Sequence, residues 1–327
     1  MSVRTGPLQA DAGPAVRPAS APPRRRRVDW SAWRAFALLT APLLVGLLLF
    51  KYVAMGWGLL LSFSNARGTI ALGDWAGLEN YRTLFGDPRF RTSLSMIVVF
   101  TLVIVPLTFA IALGLAVLVN RLRRGRALFR TTFFLPAAVS YVVASLIWKM
   151  SLFSGVPSSA ANSLAALFGQ EPTAWIATVD PPLYWIVLIT VRLWLQIGLY
   201  MILFLAGMQE IPGELYEAAR VDGAAGEWRL FRHITFPLLR NTSVAVTLLL
   251  VIAAFQAFDE FYNLLSTGLA GAPGPDGRPP LVYLYDVSLV QQDYGLGSAG
   301  AFVVTLLIVL VTLVQGRLVG FGRGDGE

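Results

Sequence analysis

Six stretches of this chain are apolar over about twenty residues or more, and this feature restricts the possible folds more than any other. They are Ala35–Ser64, Leu94–Val119, Thr131–Phe153, Leu183–Gly207, Ser243–Leu265 and Ala299–Leu318. About 20 helical residues cross the hydrocarbon core of a bilayer. None of the stretches shows the strict alternation of a barrel strand. In lipid, only helices and closed barrels satisfy every backbone N–H and C=O. The predicted fold class is therefore an all-α integral membrane protein with six transmembrane helices. Composition agrees: 56% of residues are apolar and only 14% are charged, where a soluble domain carries about 25%. Mean hydropathy is +0.63, so the excess apolar surface needs lipid as its solvent.

The net charge of +7 and the pI near 10 admit two readings. A nucleic-acid binder would show a basic stripe interleaved with aromatics, and no such stripe is present, so no nucleic-acid partner is expected. The other reading is that Arg and Lys collect in cytoplasmic loops. With a cytoplasmic N-terminus, seven fall in the N-terminal tail, five in 120–130, four in 208–242 and two at the C-terminus, against five outside. Three lie within spans: Lys51, Lys149 and Arg192. The excess predicts N-in, C-in. Four of the outside arginines sit in the first external loop, where Leu78–Phe85 reads as a short interfacial helix. Residues 1–34 are rich in Pro, Ala and Arg, with Arg24–Arg27 as a run, and read as a disordered basic cytoplasmic tail. Residues 35–320 form the membrane domain, and 321–327 a short cytoplasmic tail. The external connections Ser154–Pro182 and Ser266–Gly297 carry Pro, Gly, Ser and Ala, and Gly271–Pro280 reads as an irregular loop. Lys51 and Lys149 are expected to snorkel towards the membrane surface.

The absence of Cys and the presence of one His exclude disulfides, thiol metal sites and a histidine metal cluster. The cytoplasmic segment 208–242 has more internal pattern than any other loop. Pro212 suits a helix start, and Glu214 and Glu217 fall in the first turns, where the helix dipole favours acids. Leu215, Ala218, Ala219 and Asp222 recur at helical spacing. Gly223 and Gly226 then interrupt, and Glu227–His233 makes a second short helix with Trp228 and Phe231 inward, which Pro237 ends as it opens the fifth span. Small residues beside an acid suit docking into a partner; an amphipathic helix resting on headgroups is the other reading, and the residues alone leave both open.

The run Glu214–Ala224 (Glu-Leu-Tyr-Glu-Ala-Ala-Arg-Val-Asp-Gly-Ala), followed by Phe231 and Ile234-Thr-Phe-Pro237, resembles the EAA loop of ABC importer permeases. It is most similar to the carbohydrate-uptake branch, the maltose and glycerol-phosphate type. The resemblance spans residues 36–320 and includes Gly77-Leu-Glu-Asn-Tyr81, Gly125–Pro136 and Leu205-Ala-Gly-Met-Gln-Glu-Ile-Pro212. Two departures stand out. Ten residues, not nine, separate Gly223 from Ile234, and Phe236 replaces the Leu before the final Pro, so the path of the second short helix is left open. The resemblance implies the six-helix permease architecture of type I importers in the cell membrane. It implies a coupling helix in which Glu217, Ala218, Ala219, Asp222, Gly223 and Pro237 serve contact with a cytoplasmic ATPase dimer. The other implied partners are a second permease subunit, an extracytoplasmic solute-binding protein and membrane lipid. The solute is expected to be a sugar or sugar-like molecule. No Walker-type phosphate loop occurs in this sequence, so ATP and Mg belong to the partner ATPase. This chain is expected to bind no cofactor or metal and to carry no catalytic residue.

A charge within a span is expensive and must face the bundle or a wet cavity. Arg192 lies about nine residues into the fourth span. With Gln196 it either lines the solute pathway, or it pairs with Asp259 or Glu260, or it snorkels outward. Gln256, Asp259, Glu260 and Asn263 cluster near the outer end of the fifth span and share a face of it. Such a face suits sugar hydroxyls, and packing against the partner permease competes with that reading. Six helices alone also admit a secondary transporter or channel, which would show central acids or broken helices. A membrane enzyme would need a nucleophile, paired acids or a metal cluster at the membrane face; His233, flanked by Arg232, reads as structural.

Overall fold

The computed structural model describes residues 30–122, 124–178, 180–223, 226–265 and 278–319. Most of 1–34 and 321–327, and the segment Gly271–Pro280 up to residue 277, lie outside the described residues. These residues divide into two units, one up to Met55 and one from Gly56 onward. Among them are five helices long and apolar enough to cross a membrane: Trp33–Ser62, Pro88–Arg121, Tyr184–Gln209, Arg240–Leu265 and Tyr294–Arg317. We refer to these as spans one, two, four, five and six. In the first unit the helix begins at Trp30, inside the segment expected as tail, and passes into a π-turn at Leu48–Val53. Its apolar side chains, Leu38, Leu39 and Phe50 among them, are exposed.

The third expected span is a bent pair. The segments Arg126–Ala138 and Tyr141–Leu152 meet at 93°. Pro136 sits in a 3-10 turn at Leu135–Ala138 that ends the first helix, and the Ser140 hydroxyl accepts from the Val142 N–H to restart the second. The first helix has its own amphipathic register. Arg126, Arg130 and Phe133 are half-buried against the bundle while Leu128 and Phe134 are exposed.

Span two is the central element of the second unit and packs mainly against spans four and five. Its buried Ile97, Phe100, Ile104 and Ala112 meet Leu188, Met201 and Phe204 of span four and Phe261 of span five. Fully burying an aromatic or aliphatic side chain of this kind contributes about 1.5–3 kcal/mol in water; between helices in lipid, close packing supplies the attraction instead.

A second cluster lies at one end of the bundle. Leu84, Phe90, Tyr283, Leu284, Val287 and Val304 close on each other. Sequence patterning read Ser266–Gly297 as an external connection and assigned no helix to it. The structure places a helical segment at Pro280–Val290 instead, with Pro280 in its first turn. The apolar run Leu281–Leu284 has a core to enter, which the surrounding Pro and Gly conceal. The Tyr283 hydroxyl donates to Asp87 Oδ2 at 2.8 Å. Burial first, and then this bond, push the phenol's pKa up, so it remains a donor. The expected short helix appears as Glu79–Gly86. Its Asn80 is buried and donates to the Ser62 and Ser64 carbonyls at 3.0 Å each, and the Tyr81 and Ser62 hydroxyls bond at 2.8 Å. These bonds give a physical reason for the Gly77–Tyr81 signature: it ties the connecting helix to the end of span one.

Candidate functional site

The loop 208–242 forms nearly as read. Pro212 stands just ahead of a helix at Gly213–Val221, with Glu214 in its first turn. Gly223 has φ +88°, a left-handed conformation that costs an L-residue with a Cβ roughly 1–2 kcal/mol. Glu217, Ala218, Asp222 and Gly223 are exposed, Ala219 is half-buried, and Leu215 and Val221 project outward. The inward side chain is Tyr216, whose hydroxyl lies 3.1 Å from Thr235 Oγ1. A recess of about 220 Å³ opens here, lined by Val117, Asn120, Arg121, Tyr216, Arg220 and Glu227 among others. Arg121, ending span two, reaches Glu227 at 3.4 Å.

The second half of the loop needs one correction. Trp228 is 70% exposed and stacks on half-buried Phe231, and Leu230 is the side chain that enters the protein. The helix Glu227–Leu230 runs into a π-turn at Phe231–Thr235. A π-turn accommodates one extra residue within a helix. Pro237 is exposed, within the short turn Phe236–Leu238 that leads to span five.

Within the bundle, the polar residues of spans four and five separate into two groups. Arg192 is 4% exposed and Glu260 1%, and they form a buried ion pair. Of the two acids that sequence spacing offered Arg192, the structure selects Glu260. Span five is also not continuous: its first helix ends at Phe255, and a second begins at Asp259. The Ala257 N–H, which would bond to the Ala253 carbonyl in an unbroken helix, bonds to Ala254 O instead. Arg192 Nη2 donates to that freed Ala253 oxygen. The guanidinium lies 5.3 Å from the Tyr141 ring centre and 5.9 Å from that of Phe100. Gln196, one turn further along span four, is buried beside this cluster.

The break changes the phase of the helix, so the expected shared face does not hold. Gln256 and Asp259 are exposed, Asn263 is half-buried, and Glu260 faces the interior. Asn263 Nδ2 donates to Asp259 O at 2.7 Å, and Lys149 donates to Asn263 O at 3.1 Å. Lys149 therefore bridges broken span three to span five, where snorkelling was expected. Sequence reasoning missed Tyr141 and the Ala253 carbonyl. The signal for Tyr141 was present, since Ser140 after Pro136 marks a helix restart beside it.

Comparison with known proteins supplies the context for these elements. Residues 107–320 match the family described as binding-protein-dependent transport system inner membrane component. The chain is 32% identical over 303 residues to the arabinooligosaccharides transport system permease protein AraP of Bacillus subtilis (strain 168), covering 92% of this chain and 93% of that protein. It is 30% identical over 297 residues to the lactose transport system permease protein LacF of Rhizobium radiobacter, covering 89% and 94%. Its fold matches a chain in the crystal structure of a bacterial ABC transporter involved in the import of the acidic polysaccharide alginate. That match has a TM-score of 0.78 at 20% identity, and covers 90% of this chain and 98% of the other.

Proposed function

The chain belongs to the family of binding-protein-dependent transport system inner membrane components, and we propose that it carries a sugar or short oligosaccharide inward while a separate ATPase supplies the energy. As a family member it is a multi-pass cell-membrane permease of an ABC importer and a transport subunit, not an enzyme. That membership removes the secondary-transporter reading, even though two spans are broken. The choice of solute rests on relatives whose names specify arabinooligosaccharides and lactose.

The single observation that carries the mechanism is the form of the loop after span four. A short helix, exposed along Glu217, Ala218 and Asp222 and closed by a left-handed Gly223, offers a cytoplasmic partner a small-residue surface with acids beside it. We read this as the coupling helix. In this scheme two ATPase subunits bind ATP and Mg and close, drawing this helix and its counterpart on a second permease together. Tyr216–Thr235 and Arg121–Glu227 pass that displacement to spans five and two. The bundle then opens outward to receive solute from an extracytoplasmic binding protein. Gln256 and Asp259, polar and exposed within a span, face this pathway, because contact with lipid would leave them unsatisfied.

Uptake of a panel of radiolabelled oligosaccharides, by cells carrying or lacking this chain, tests the proposal. Expected is energy-dependent uptake of at least one neutral saccharide that disappears with the chain, and co-purification of an ATPase and a second permease. No saccharide dependence together with no associated ATPase would overturn it.

A further inference from the structure

Arg192 is oddly placed for a residue that only neutralises a buried acid. It lies eight residues after Tyr184, the start of span four, or about 12 Å along the helix. There it meets both interrupted spans at once. On one side the break in span five leaves the Ala253 carbonyl without its helical donor, and Arg192 Nη2 takes that role. Nη1 holds Glu260, in the first turn of the helix that follows the break. On the other side the ring of Tyr141, first residue of the restarted half of span three, lies against the guanidinium. Only Nε is without a partner. The two fork nitrogens thus grip the residue before the break and the residue after it. Between those points lie Gln256, which faces the open side, and Asp259, which borders Glu260 and is turned away from it.

We propose that Arg192 is a positioning residue for solute passage: by bridging Ala253 and Glu260 across the break in span five, it holds Gln256 and Asp259 towards the pathway. The inference rests on the reading that this exposed polar face meets the solute. The planar fork is needed because two acceptors in different directions must be held by one group; an ammonium is a compact point charge and lacks that fixed geometry. The two charges cancel, so the site presented to a solute is shaped by Gln256 and the Asp259 carboxylate and not by the cation.

Two variants separate positioning from simple charge balance. Arg192→Lys keeps the charge and loses the fork. The double change Arg192→Met with Glu260→Leu removes both charges, which avoids stranding one in a buried site, and fills the space with apolar atoms. Each is measured in the full importer in cells, for membrane accumulation and for uptake over a range of solute concentrations. At least one is expected to accumulate within twofold of the parent, with the half-saturating concentration raised about tenfold and the maximal rate changed less than threefold. Unchanged half-saturation in the accumulating variants overturns the proposal, since the pair would then be only a structural staple. Failure of both to accumulate also overturns it, by making the pair a folding requirement. Gln256→Ala and Asp259→Asn serve as the separate check on the underlying reading. If both leave uptake unaltered, the face is not in the pathway and the proposal falls with it. If they alter half-saturation while the Arg192 variants do not, the pathway stands and the positioning role alone is lost.

Discussion

Gly198 lies in the middle of span four, where a Cβ would come within 1.8 Å of the Phe133 carbonyl oxygen. That neighbour is backbone, so it cannot swing aside. The contact is where the first half of broken span three presses against span four, and small residues allow such close approach between membrane helices. Overpacking a site of this kind costs about 1–3 kcal/mol. Gly198→Ala should therefore lower the thermal midpoint of the detergent-solubilised protein and reduce its membrane accumulation. Gly114→Ala, with nothing within 4 Å of its Cβ position, should leave both unchanged; equal effects would remove the packing explanation. At this scale the sequence was informative about chemistry and less so about geometry. It flagged Arg192 as a charge that must face the bundle or a wet cavity, because that follows from the cost of a charge in a span alone. It left Asp259 and Glu260 as alternatives, because adjacent residues cannot be told apart until the phase of the helix is known.

That phase is a property of the element. The interruption in span three was missed, because Thr131–Phe153 was taken as one apolar stretch, although Pro136 ends one helix and Ser140 caps the next. The interruption in span five was missed too. Ala254-Phe-Gln-Ala-Phe258 has no Pro or Gly, and the break persists through a donor supplied from span four, a tertiary contact that no local pattern encodes. The helical segment Pro280–Val290 was hidden by its Pro-rich neighbours in the same way. The helix Gly213–Val221 was legible as a helix, because its start, its small residues and its glycine turn are all local; the coupling role came from the resemblance. The prediction for this helix follows from the exposed surface. Glu217→Lys reverses a charge without touching the core, and Gly223→Val forces a β-branched residue to adopt a positive φ. Both variants should insert and accumulate normally while uptake drops at least tenfold and ATP hydrolysis ceases to respond to solute. Normal uptake in both would mean that this helix is not the coupling element.

For the whole molecule, contacts between distant segments sort the connections onto two sides. Arg121 and Glu227 pair at one end of the bundle; Arg67 and Asp293, and Asp87 and Tyr283, join at 2.8 Å at the other. The end of span two at Arg121 and the helix starting at Glu227 thus share one end, and 65–87 and 278–293 share the opposite one, as alternating crossings require. The asymmetry of Arg and Lys predicts that the end carrying the helix Gly213–Val221 is the cytoplasmic one. The chain has no Cys, so single introduced thiols report their side without background. Ser158→Cys, exposed in the connection after span three, should react with a membrane-impermeant maleimide on intact cells. Glu214→Cys, exposed at the start of the coupling helix, should react only after the membrane is opened. The two positions are separated by span four, so they must lie on opposite sides if that helix crosses. Labelling of both in intact cells would break the crossing itself. Labelling of Glu214→Cys alone would keep the six-span fold and invert it, placing the coupling surface where no ATPase could reach it.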